Sequence, residues 1–110
     1  MRQRKGLSVW NIGNKEYYKL YDTVIVIAEH LENGSTRIRL NNGGWKTNHT
    51  KNCINDFLKR FGFKVYQKDF VWYVRGRELS FEFETERIVT GKHLPPRLKI
   101  SRPFLFPFID

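Results

Sequence analysis

At 110 residues the chain is long enough for one core and too short for two. Lys and Arg number 20 against 11 Asp and Glu, and the formal charge of +9 concentrates polyanions at the surface: nucleic acid first, then anionic membrane surface or an acidic protein. The single cysteine, Cys53, excludes an internal disulfide, no Cys/His cluster has the spacing of a zinc site, and no apolar run is long enough to span a bilayer.

The N-terminal MRQRKGLSVW has three basic residues but no apolar run behind them, unlike a secretory signal. A cytoplasmic setting is the expectation. Residues 1–22 mix basic side chains with Trp10, Tyr17, Tyr18 and Tyr21 and read as an arm, irregular or forming a short edge strand. TVIVIAEHL (23–31) is β-branched and apolar on both faces at its start, as a central strand is. Asn33-Gly34 marks a tight reversal, and STRIRL (35–40) alternates Thr36, Ile38 and Leu40 against Arg37 and Arg39.

Residues 40–55, LNNGGWKTNHTKNCIN, lead into a helix expected from about His49 to Phe61. Cys53, Ile54, Phe57, Leu58 and Phe61 form its apolar stripe, Gly62 ends it, and Thr47 or Asn48 caps its start. Lys51, Asn52, Asn55, Lys59 and Arg60 occupy the opposite face, expected to meet water. FKVYQ (63–67) and FVWYV (70–74) flank Lys68-Asp69 as a hairpin. ELSFEFETE (78–86) reads as one strand with an acidic outer face, its Glu82, Glu84 and Glu86 set to pair with Arg37, Arg39, Arg75 or Arg77.

The pattern predicts an α+β domain over residues 23–91: an antiparallel β-sheet in the order β-β-α-β-β-β with one helix packed across it. Residues 92–110 hold all four prolines and form an apolar tail. Its FLFPFI segment (104–109) must pack on the body, dock on another chain such as a second copy, or stay exposed.

Gly43-Gly44-Trp45-Lys46-Thr47 lacks the spacing of a phosphate-binding loop of nucleotide hydrolases. A Gly-Gly turn feeding a helix N-terminus still suits an anion, with Lys46 and Lys51 supplying charge and Thr47, Asn48 and Thr50 supplying donors. Alternatively, Thr47 only caps the helix while Trp45 plugs the core. Arg37, Arg39, Lys59 and Arg60 extend the basic surface, and Trp45 or Tyr66 offers a stacking ring. Tyr66 and Tyr73 alternate with core positions near Lys64, Lys68 and Arg75. His30, His49 and His93 are scattered and Cys53 lies in the apolar stripe, so no catalytic residue, metal or cofactor is expected.

LNNGGWKTNHTKNCIN together with VYQKDFVWYV resembles a motif pair of small tailed-bacteriophage proteins: a strand, a glycine turn with an aromatic, a Thr-Lys helix start, Phe-Gly, and a Tyr-Gln-Lys hairpin. The resemblance covers about residues 23–74. It implies a phage or mobile-element origin and a host-cell cytoplasm, with no mechanism attached. The resulting expectation is a non-catalytic phage protein that binds DNA or RNA through phosphate contacts. The alternative is an inhibitor that grips a host protein through its aromatic and C-terminal apolar surfaces.

Overall fold

Burial in β4 follows the alternation in its sequence: Thr36, Ile38 and Leu40 point into the core while Arg37 and Arg39 face water. The computed structural model describes residues 4–76 and 80–93. Along them run β1 (Leu7–Ile12), β2 (Lys15–Leu20), β3 (Thr23–His30), β4 (Thr36–Asn41), α1 (Asn48–Leu58), β5 (Lys64–Lys68), β6 (Val71–Arg75), β7 (Ser80–Glu82) and β8 (Glu86–Gly91). The tail segment 104–109 lies outside the described residues.

The fold is α+β with antiparallel pairing, as the pattern predicts, and its strands divide between two sheets. One has the order β1-β2-β3-β4-β8 and the other β5-β6-β7. Helix α1 packs against β3 of the first and β5 of the second, and it buries Thr50, Cys53, Ile54, Phe57 and Leu58. A single 3₁₀ turn, Lys59–Phe61, follows, and Gly62 at φ 81° reverses the chain into β5. That left-handed backbone is the conformation glycine adopts without steric cost.

Residues read as an arm supply a hairpin: β1 is the edge strand and β2 lies inside the sheet. Leu7, Tyr18 and Leu20 belong to the same buried core as α1, so the core begins before residue 23. Between Tyr18 and Lys19 the β2–β3 register shifts, leaving Ile25 opposite no residue of β2. Such a bulge re-aims side chains, and here consecutive Ile25 and Val26 are both buried.

The strand expected over residues 78–86 is instead broken. β7 ends at Glu82, Phe83 is fully buried against Trp72, and the chain bends at Glu84-Thr85 to enter the other sheet as β8. The three glutamates therefore do not share one face. Glu84 pairs with Lys46, and Arg37 takes Glu29 from the neighbouring strand instead.

Candidate nucleic-acid interface

Two asparagines build the loop before α1. Asn41 Oδ1 accepts the Gly43 N–H at 2.8 Å, and Asn42 Oδ1 accepts the Gly44 N–H at 2.7 Å. Asn42 is fully buried; its Nδ2 donates to the Glu84 carbonyl at 3.0 Å, and its own carbonyl accepts from the Trp45 N–H at 2.8 Å. Thr47 is the N-cap, accepting the Thr50 N–H at 3.2 Å and donating its hydroxyl to Thr50 Oγ1 at 3.1 Å.

Within the loop the Gly43 and Gly44 N–H groups, the Thr47 hydroxyl and the Thr50 N–H are all hydrogen-bonded, and Thr47 caps the helix. Lys46 is tied to Glu84 at 3.0 Å, while Lys51 lies 6.0 Å from the Trp72 ring centroid. Asn48 faces solvent. Trp45 does not plug the core, because 65% of it is exposed.

Lys59 is exposed, but Arg60 turns inward. Its Nη2 donates to Glu16 Oε1 at 3.1 Å and to the Tyr18 hydroxyl at 2.9 Å, and its guanidinium stacks 4.2 Å from the Phe57 ring centroid. Glu16 also accepts from the Tyr18 hydroxyl at 2.8 Å and from His30 Nε2 at 2.6 Å. Burial pushes the Glu16 carboxyl up, but hydrogen bonds from Tyr18, His30 and Arg60 and the charge of Arg60 outweigh it and hold the group below its ordinary range. Burial, helped by the bond to Glu16, pushes the Tyr18 phenol up to about 12. Arg60 is thus a structural residue of the β2–α1 contact.

Arg37 and Arg39 belong to a larger surface, the outward face of the five-stranded sheet. The pairings place Trp10, Tyr17, Ile27, Arg39 and Ile88 side by side in one row across all five strands. The next row is Ile12, Lys15, Glu29, Arg37 and Thr90. Trp10 is 37% exposed and its ring lies parallel to Tyr17, with centroids 5.4 Å apart and planes 4° apart. A shallow depression of about 180 Å³ lies over Lys15, Tyr17, Ile27, Glu29, Arg37, Arg39 and Ile88, with Arg37 paired to Glu29.

Trp10, Lys15, Tyr17 and Ile88 were not among the residues nominated from the sequence. A signal was there: Lys15, Tyr17 and Lys19 alternate at the period of a strand. Tyr66 lies on the other sheet, stacked on Tyr73 with centroids 5.3 Å apart, and Arg75 lies 5.4 Å from its ring centroid. The nominated residues therefore occupy three places: the five-stranded sheet face, the two ends of α1, and the β5–β6 hairpin.

Searches of curated proteins and of solved structures give no match. The family model described as Kyanoviridae Gp96 protein matches residues 8–92, from β1 to just past the end of β8. This span takes in all but the first residue of the N-terminal hairpin, which the motif resemblance left out, along with the remaining strands and the helix. The chain belongs to the Kyanoviridae Gp96 protein family, a phage protein family.

Proposed function

We propose that this phage protein binds single-stranded nucleic acid, without catalysis, on the open face of the five-stranded sheet. The observation that carries the reading is the row Trp10, Tyr17, Ile27, Arg39 and Ile88, in which a parallel aromatic pair and a cation share one exposed surface. Unpaired bases stack on exposed rings whatever their sequence, worth about 1–3 kcal/mol per base. Lys15, Lys19, Arg37 and Arg39 supply phosphate contacts beside those rings, and the charge of +9 draws the strand in.

Titration with single- and double-stranded oligonucleotides over a range of salt tests the reading. Single strands bind more tightly, and the logarithm of affinity falls with the logarithm of salt by about 0.7 for each phosphate neutralised. Trp10→Ala weakens binding about 5- to 160-fold, the range that one lost stacking contact implies. Absence of binding at low salt, or binding indifferent to both Trp10→Ala and Arg39→Ala, refutes it.

One observation favours a second reading, inhibition of a host protein. Phe70 stands 88% exposed at the tip of the β5–β6 hairpin, and both Asp69 and Phe70 have positive φ, 53° and 68°. An exposed aromatic at a hairpin tip is a form of interface anchor. A host protein retained by the wild type and lost with Phe70→Ala, while oligonucleotide binding fails, selects this reading.

A further inference from the structure

On the side of the molecule where the Asn-Gly loop meets the β2–β3 turn lies a pocket of about 490 Å³, within the size range of small-ligand sites. Buried Leu20 and Ile25 line it with apolar surface, and Tyr21, Trp45 and His49 add three rings. Asp22 is its one carboxylate among the lining residues.

Separate constraints act on the Tyr21 backbone, the His49 ring and the loop that carries Trp45. Tyr21 has φ 54°, a backbone conformation that bulky residues seldom take, and its N–H donates to the Gly6 carbonyl at 2.8 Å. A Cβ on Gly6 would collide with the Tyr21 ring, so the ring lies where only glycine leaves room. His49 Nε2 donates to the Lys5 carbonyl at 2.8 Å, which leaves Nδ1 as the acceptor of the neutral ring. Trp45 rides on the loop anchored by buried Asn42, and a Cβ on Gly43 would meet Thr23 Oγ1 at 2.8 Å. Yet Trp45 and Tyr21 remain 65% and 56% exposed. Rings this exposed gain little from burial and leave their faces open to a ligand.

We infer that this pocket takes one base of the bound strand, and that the base it prefers is guanine. The inference rests on the nucleic-acid reading above. Three aromatic faces over an apolar base suit a flat ring, whereas Asp22 repels a phosphate. The same carboxylate accepts paired N–H bonds from a guanine edge, whose N1–H and N2–H₂ are adjacent donors; adenine, cytosine and uracil offer no such pair. The phosphate then stays at the mouth; Lys46 follows Trp45 in the chain, and the Lys5 carbonyl accepts from His49. Glu84, the partner of Lys46, is 75% exposed, so that ion pair is weak enough to exchange for a phosphate oxygen.

The test uses the full chain, ¹⁵N-labelled, with the tryptophan indole and His49 signals assigned. Guanosine monophosphate shifts the Trp45 indole and His49 signals saturably, uridine monophosphate binds at least about tenfold more weakly, and inorganic phosphate shifts neither. Trp45→Ala, at an exposed position, abolishes the guanosine response with the spectrum of the core unchanged. Asp22→Asn brings guanosine and adenosine monophosphates to similar affinity. Equal response to all four nucleotides, or a preference that survives Asp22→Asn, overturns the guanine assignment, and saturable binding of a phenylalanine peptide in place of nucleotide overturns the base assignment. Oligonucleotides without guanine separate the two readings. If they bind through Trp10 while guanosine monophosphate does not bind, the pocket proposal alone fails; if the mononucleotide binds and no oligonucleotide does, the strand reading fails and takes this proposal with it.

Discussion

Asn55 closes on the backbone of Val65 from both directions: the Val65 N–H donates to Oδ1 at 2.7 Å, and Nδ2 donates to the Val65 carbonyl at 3.0 Å. Val65 is on β5, the outer strand of its sheet, so a helix side chain occupies the place where another strand would pair. Asn55→Ala orphans two peptide groups at a buried residue, each worth about 1–3 kcal/mol. The urea midpoint falls accordingly, and Asn55→Asp, which keeps the acceptor and loses the donor, falls between. An unchanged midpoint for the alanine variant contradicts the clamp.

The Glu16 cluster makes stability depend on pH in both the acid and the alkaline range. Glu16 is held below its ordinary value of 4.5, so it is deprotonated in the folded state while the unfolded state takes up protons; its contribution is present above 4.5 and is lost as pH falls through the folded value. Tyr18 has the opposite sign. Raised from 10.0 to about 12, it contributes fully below 10 and its contribution disappears between 10 and 12, as only the unfolded phenol ionises at first. Melting temperature against pH checks both: Glu16→Gln flattens the acid limb and Tyr18→Phe the alkaline one.

The tip of the β5–β6 hairpin is less stable than it need be. Two consecutive residues with positive φ suit Asn-Gly, not Asp-Phe. Replacing Asp69-Phe70 with Asn-Gly raises stability by roughly 1–2 kcal/mol, chiefly because glycine takes the left-handed backbone at position 70 without the strain phenylalanine carries. Chemical denaturation measures the gain. A loss of stability shows that Phe70 has a supporting contact in the folded protein.

Thr47 and Arg39 separate capping from binding. Thr47→Ala lowers stability by about 0.5–2 kcal/mol through loss of the cap and leaves the salt dependence of oligonucleotide binding unchanged. Arg37→Ala with Arg39→Ala does the reverse, making the log–log salt slope shallower by up to about 1.4 if each arginine contacts one phosphate. A shallower slope for the Thr47 variant returns the phosphate site to the helix start.

Local order was legible in the sequence wherever one side chain decides it. The alternation in β4, the apolar stripe of α1, the cap at Thr47 and the reversal at Gly62 all follow from neighbours a few residues apart. Long-range pairing was not. Trp10 and Tyr17 become a surface only when β1 and β2 pair, and Arg39 joins them only through β3. Aromatic residues on both faces of β2 also blur its alternation, because Tyr18 enters the core while Tyr17 stays outside. The Gly-Gly turn reads as an anion site because the pattern does not show which groups take its N–H bonds; Asn41 accepts the Gly43 N–H, and buried Asn42 accepts that of Gly44.

The strand order carries a consequence for how the protein comes to be folded. β4 has β3 beside it as soon as residue 41 is made, but its other neighbour, β8, is encoded beyond the helix and the whole second sheet. Thr36 waits for Gly91, and the loop between them must close before that pairing yields any stabilisation. During synthesis β4 is therefore a temporary edge, its hydrogen-bonding groups open to any passing strand. Arg37 and Arg39, charged and on the water face of that edge, discourage two nascent copies from joining there before β8 arrives.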